Sequence, residues 1–235
     1  MQNWRDNIRR VTPYTPGEQP AETDIVKLNT NENPYPPAPE VEEALREAAC
    51  ETGLLRRYPD PEAQELVEAL ASFYGMSPER IFVGVGSDDV LAMSFLTFFN
   101  GDRPLLFPDI TYSFYEVWAG LFQIPFEKVP LDEGFHLRKE DYFRENGGII
   151  FPNPNAPTGI EESLEDIEEI LQRNPSSVVI IDEAYVEFGA RSAAELIDRY
   201  DNLLVVQTFS KSRSMAGVRI GFAMGQPELI AALKA

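Results

Sequence analysis

The chain has 235 residues, 43% of them hydrophobic, which is enough for one substantial core, and its 20 basic and 39 acidic side chains leave a net charge of −19. That excess of negative charge argues against nucleic acid or an anionic membrane surface as a partner. One histidine and one cysteine remove Cys/His zinc centres, which need several ligands, and a Ser-His-Asp triad, since His136 has no nucleophile-elbow text to serve and reads as a surface or structural residue.

Met1 to Arg10 is polar and charged, so no secretory or membrane-spanning segment is expected there. With the lone Cys50 this points to a reducing cytoplasm. Residues 1–37 read as an extended N-terminal arm and residues 38–235 as one large domain. A proline-rich connector, Asn33 to Pro39, leads into helices predicted from Pro39 to Glu51 and from Glu62 to Tyr74. Strands are predicted at Ile81 to Val85, Pro104 to Phe107, Gly148 to Phe151, Val178 to Asp182, Leu203 to Gln207 and Arg219 to Ala223. Their alternation with helical text predicts an α/β fold, a three-layer, mostly parallel sheet with helices on both faces. Between Glu161 and Leu171, acidic residues alternate with Leu164, Ile167, Ile170 and Leu171 at helical spacing, giving one exposed and one buried face. Phe95, Phe98, Phe99, Phe114 and Trp118 also fall at helical spacing and read as core.

Four segments carry chemistry. Ile81 to Leu91 reads as a strand, a glycine turn at Gly84 and Gly86, and a helix running to about Phe99. Free amides at such a helix start, with the positive end of the dipole, suit a phosphate; the third glycine of a dinucleotide fingerprint is missing. Ile149 to Gly159 is a short strand entering a rigid proline-rich turn in which asparagine supplies neutral hydrogen bonds. Val178 to Asp182 is an apolar run of the kind buried on both faces of a parallel sheet. Asp182 at its carboxyl end is placed either to meet a bound cation or to cap the turn. Lys211 follows the apolar run Leu203 to Val206. An amine at the end of a buried strand can shed its proton and attack an aldehyde, which makes Lys211 a candidate Schiff-base lysine. Thr208, Ser210 and Arg219 flank it as partners for a phosphate monoester carried by that aldehyde.

The order Gly86-Ser87-Asp88, Asn153-Pro-x-x-Pro-Thr-Gly159, Asp182-x-Ala-Tyr185 and Ser210-Lys211-x(7)-Arg219 resembles the fold-type I aminotransferases dependent on pyridoxal 5′-phosphate. The match runs from about Asn29 to the end of the chain. Within that superfamily, Leu28-Asn-Thr-Asn-Glu-Asn-Pro34 with Arg57-Tyr-Pro-Asp60 is most similar to the histidinol-phosphate aminotransferases of class II. The resemblance implies that Lys211 condenses with the cofactor and moves the substrate proton, that Asp182 pairs with the pyridinium nitrogen, and that Tyr185 bonds the phenolic oxygen. It implies that Tyr112 stacks on the ring and that Gly86, Ser87, Asp88, Thr208, Ser210 and Arg219 hold the phosphate, with Tyr58 reaching it from the other subunit of a homodimer. The family's usual asparagine before Pro-Thr-Gly is Ala156 here, so either Asn155 reaches the phenolic oxygen from one position earlier, which is the expectation taken, or Tyr185 holds it with help from water.

The substrates so implied are L-glutamate and imidazole acetol phosphate, giving 2-oxoglutarate and histidinol phosphate. An aromatic aminotransferase, a phosphothreonine decarboxylase or a non-catalytic cofactor-binding fragment would share the same cofactor text. Pro227 to Ala235 looks like the start of the family's interdomain helix, which implies that a C-terminal small domain carrying the substrate-carboxylate arginine is absent and that this chain alone is inactive.

Overall fold

The three strands β4 (Gly148–Pro152), β5 (Val179–Asp182) and β6 (Leu203–Thr208) are buried along their whole length. Their near-continuous Val, Ile and Leu text is what a parallel strand covered on both faces requires. In a computed structural model that describes residues 8–9, 11–12, 17–18, 24–51, 53 and 56–235, they form the centre of a seven-stranded sheet. The outer strands are β1 (Ile81–Gly84), β2 (Leu105–Pro108), β3 (Phe126–Val129) and β7 (Gly221–Gly225), in the order β1-β7-β6-β5-β4-β2-β3. Pairs from β3 through β6 are parallel, whereas β7 runs antiparallel to both β6 and β1.

Successive strand residues face opposite sides, and the core divides accordingly. Ile149, Phe151, Ile181 and Val205 pack on one side with α2 (Gln64–Tyr74) and α5 (Leu164–Arg173). Ile150, Ile180, Leu204 and Val206 pack on the other with α3 (Ser87–Phe98), α4 (Phe114–Phe122) and α6 (Pro227–Lys234). Each fully buried side chain of this size contributes about 1.5–3 kcal/mol before chain entropy is subtracted. A further helix, α1 (Pro39–Cys50), buries none of its residues. The expected three layers are therefore present, and α5 buries Leu164, Ile167, Ile170 and Leu171 as its periodicity predicts.

The differences from the sequence expectation have local causes. β3 was not foreseen because its Glu127 and Lys128 are exposed on an edge strand, so no apolar run marks it. α4 was not placed because eight of its nine residues, Phe-Tyr-Glu-Val-Trp-Ala-Gly-Leu-Phe, lack charge and no polar face reveals the period. The last strand starts at Gly221 rather than Arg219, because Arg219 is left-handed (φ 61°) and ends the pairing register. α2 starts at Gln64, where the Asp60 carboxylate accepts from the Gln64 amide at 2.7 Å and Ala63 is left-handed. Residues 24–38 contain no helix or strand, while the expectation for Met1 to Arg10 falls largely outside the described residues. Among the described residues no helix is long and apolar enough to cross a membrane.

One close approach fixes how β7 meets α3. A Cβ on Gly221 would lie 2.2 Å from the Ser87 nitrogen and 2.3 Å from the Gly86 carbonyl carbon, both backbone atoms that cannot swing aside. Gly221→Ala is expected to lower unfolding stability by roughly 2–3 kcal/mol, read from denaturant midpoints. An unchanged midpoint would contradict this packing.

Candidate active site

The strand registers bring four chain segments to one end of the sheet. Pro152 aligns with Asp182 and Asp182 with Val206, while Thr208 and Gly84 both pair with Gly221. Beyond these carboxyl ends lies a cavity of about 430 Å³, the position where ligands bind in open α/β sheets. Ser87, Asp88, Tyr112, Asp182, Tyr185, Thr208, Ser210, Lys211 and Arg219 all line it, so most of the residues singled out in sequence converge.

One end of the cavity is built to receive an anion. Ser87 opens α3 directly after Gly86, whose backbone is left-handed (φ 92°). A Cβ at Gly86 would sit 2.5 Å from the Arg219 Nη2 atom, so glycine leaves room for the guanidinium. Arg219 donates to the Ala216 carbonyl at 3.1 Å and to Ser210 Oγ at 3.4 Å, and lies 3.9 Å from the Asp88 carboxylate. Thr208 Oγ1 accepts from the Ser210 amide at 3.1 Å, which shapes the turn after β6. Tyr112 donates its phenol proton to Asp88 at 2.8 Å.

The opposite wall carries a buried carboxylate. Asp182 is 4% exposed and accepts from the Tyr115 hydroxyl at 2.8 Å and from the Ala184 amide at 3.2 Å. Burial pushes its carboxyl up to about 6, partly offset by those two hydrogen bonds. Among the described residues no basic side chain forms an ion pair with it. Burial likewise raises the Tyr115 hydroxyl well above its ordinary range, reinforced by the Asp182 charge.

Lys211 lines the same cavity. Its Nζ donates to the Thr30 carbonyl at 3.0 Å and the Asn31 carbonyl at 3.4 Å, and stands 5.5 Å from the centre of the Tyr185 ring. Asn31 Nδ2 donates to the Tyr185 hydroxyl at 2.9 Å. Asn33 Nδ2 donates to the carbonyls of Lys211 and Ser212 at 3.2 and 3.1 Å. The segment around residues 30–33 therefore covers the lysine turn. The site combines a flexible amine, a buried unpaired carboxylate and an anion-binding helix start within one cavity, which suits an aldehyde bearing a cationic ring and a phosphate.

Two expectations meet a different geometry. Asn155 does not line the cavity, and its amide ties its loop to the turn after β2. It donates to Ile110 O at 2.9 Å and Thr158 Oγ1 at 3.0 Å, and accepts from Thr111 Oγ1 at 3.1 Å. Ala156 lines the cavity instead. Tyr58 is fully exposed and lies outside the cavity of its own chain. Tyr115 was missed because α4 was missed; Tyr112, two residues before that helix, meets its ring edge-on at 5.7 Å. Thr30 and Glu32 also line the cavity; Glu32 pairs with Lys27 at 2.8 Å. His136 is half-exposed and lies 3.3 Å from Glu162, in keeping with a surface role.

Comparison with known proteins gives one consistent pattern. The family model described as aminotransferase class I and II matches residues 23–235. A histidinol-phosphate aminotransferase of Lactococcus lactis subsp. cremoris is 52% identical over 98% of this chain and 64% of its own length. One of Pseudomonas putida is 56% identical over 98% of this chain and 66% of its own length. The chain thus spans just under two thirds of the curated relatives it matches. Among solved structures, a putative histidinol-phosphate aminotransferase of Erwinia carotovora atroseptica superposes with a TM-score of 0.80 at 28% identity, over 88% of this chain and 62% of that one. The enzyme of Sinorhizobium meliloti, solved in complex with pyridoxal 5′-phosphate, superposes with a TM-score of 0.79 at 28% identity, over 87% and 57%.

The Asp182 shift has a definite sign. Because the folded protein holds this proton more tightly than the unfolded chain does, stability in the absence of ligand falls as pH rises from about 4 through about 6. Asp182→Asn is expected to shrink that dependence, leaving the part that Glu183, raised to about 7, contributes, and to raise ligand-free stability at pH 8 by roughly 1–3 kcal/mol. Thermal melting of both proteins across pH 4 to 8 checks it.

Proposed function

This chain belongs to the aminotransferase class I and II family, and from that premise we propose that the protein transfers an amino group between L-glutamate and imidazole acetol phosphate, forming 2-oxoglutarate and histidinol phosphate in histidine biosynthesis. One observation carries the reading: Lys211, Asp182 and Arg219 reach a single cavity from the ends of neighbouring strands. The choice of substrate follows relatives with that name at 52–56% identity over almost the whole chain.

Pyridoxal 5′-phosphate fits the residues present. Its protonated ring nitrogen would give the buried, unpaired Asp182 carboxylate the cation it lacks, and Gly86 leaves the space in which Arg219 meets a phosphate beside the α3 amides. When bound, this cofactor supplies an aldehyde for the amino group and an electron sink for the charge left at the substrate Cα. Asp182 keeps the ring nitrogen protonated, since a carboxylate in a dry environment strongly favours an adjacent cation. Lys211 Nζ would take the proton from the substrate Cα and return it to the cofactor carbon that had carried the aldehyde, a short reach that its place on the turn after β6 allows. Ser87, Ser210, Thr208 and Arg219 hold the phosphate together with the Gly86–Asp88 turn. Tyr112 would cover one ring face, and Tyr185, oriented by Asn31, would donate to the phenolic oxygen.

The reading includes a homodimer, in which Tyr58, fully exposed on its own chain, would reach the phosphate of the second copy. The exposed, unpaired Cys50 suits a cytoplasmic setting. The test is the visible spectrum of purified protein after adding pyridoxal 5′-phosphate and removing the excess, then again with L-glutamate. A band that disappears with Lys211→Ala and is converted by glutamate, with histidinol phosphate appearing when imidazole acetol phosphate follows, is the expected outcome. Absence of the band from the unaltered protein would sink the cofactor assignment. A glutamate response without histidinol phosphate would sink the substrate.

A further inference from the structure

We propose that Arg213 positions Lys211 from the far face of the sheet, anchored there by a buried polar chain through Tyr74, Gln207 and Glu183. The inference deepens the function proposed above and rests on it for the role of Lys211.

Strand alternation builds this chain. Asp182 turns toward α4 and the cavity, so the next residue, Glu183, turns toward the opposite core. There the Glu183 carboxylate is 1% exposed and accepts from Ser192 Oγ at 2.7 Å, the Ala193 amide at 2.6 Å and Gln207 Nε2 at 2.8 Å. Gln207 precedes the cavity-lining Thr208 on β6, and its Oε1 accepts from the Tyr74 hydroxyl at the end of α2. Arg213 Nη2 donates to that same hydroxyl at 3.1 Å. The buried side of the sheet therefore ends in an oxygen aimed at the turn that carries the lysine.

Arg213 joins this chain to the turn. Its Nε and Nη2 donate to Glu187 at 3.0 and 2.7 Å, and its Cζ stands 4.4 Å from the centre of the Phe209 ring. Glu187 also accepts from the Ser212 hydroxyl. Both residues that follow Lys211 are thus gripped by side chains outside the cavity, while the Ser214 amide closes the turn on the Lys211 carbonyl at 3.1 Å. A turn between β6 and β7 has no ladder of its own to fix it, and a reacting amine must be held by such supporting contacts. Only a planar guanidinium can stack on one ring and reach two oxygens in a fixed fork; an ammonium cannot. Arg213 touches neither cofactor nor substrate and acts through Lys211, so it is a positioning residue.

The test compares Arg213→Lys and Tyr74→Phe with the unaltered protein by three readouts. These are hydrogen exchange of residues 209–218 without cofactor, the dissociation constant for pyridoxal 5′-phosphate by fluorescence, and the melting temperature. Arg213→Lys is expected to speed exchange within 209–218 while α3 and α5 keep their protection, and to weaken cofactor binding about tenfold, the loss of one charge-assisted hydrogen bond. Tyr74→Phe, which removes the anchor alone, is expected to do the same to a smaller degree. Unchanged exchange in 209–218, or loss of protection spread across the sheet in step with the melting temperature, overturns the proposal. Exchange is read without cofactor, so failure of the unaltered protein to bind pyridoxal 5′-phosphate would sink the proposed function and leave this result readable.

Discussion

A carboxylate at the end of a fully buried strand is costly unless its proton stays on or something opposes its charge, and the carboxyl end of β5 carries two in succession. Asp182 and Glu183 are both almost wholly buried, and burial raises them to about 6 and about 7. The period of the strand sends them to opposite faces, so they are satisfied in different ways. Glu183 receives three hydrogen bonds from groups within 3 Å. Asp182 receives two, and one of its oxygens is served only by the Ala184 amide at 3.2 Å. The asymmetry gives the two carboxyls different tasks: one closes a structural network, and the other is left with attraction to spare for a ligand cation.

The rest of the site is arranged around that unspent charge by backbone proximity. β7 runs antiparallel in an otherwise parallel neighbourhood, which brings its first residue, Gly221, under the start of α3. That contact sets the helix amides beside Arg219, whose left-handed backbone turns its guanidinium back over Gly86. An anion bound there and a cation bound at Asp182 would share one cavity, which Lys211 also lines. A ligand bearing both charges is oriented before any bond to it forms, which is where much of the advantage of an enclosed site arises.

Sequence disclosed the strand ends better than the supports behind them. Asp182, Lys211 and the Gly86 turn stand at the ends of apolar runs, and the run itself marks the position where a polar side chain meets the ligand. The antiparallel β7 was not legible, since Gly-Phe-Ala-Met-Gly reads the same in either direction. Nor were the contacts of Tyr115, Asn31, Asn33 and Arg213, each of which joins positions far apart in the chain through one to three hydrogen bonds and leaves no periodic trace. Asn155 shows the opposite error. Proximity in sequence to a motif suggested a role, but Ile110 and Thr111 from the turn after β2, with Thr158 from its own, take both its N–H groups and its oxygen.

The segment at residues 30–33 then decides what the ligand-free lysine does. Two of its carbonyls take the Lys211 amine, and its asparagines hold the Tyr185 hydroxyl and the carbonyls of the lysine turn. A Lys211 nitrogen joined to an aldehyde carbon would keep at most one N–H, so at least one of those two carbonyl bonds would have to be given up. The Asn33 bonds involve only backbone carbonyls of the turn and can persist through that exchange. The same short segment therefore both parks the amine and keeps its turn in place while the amine changes partner, and the Arg213 grip on the other side holds the turn against the pull.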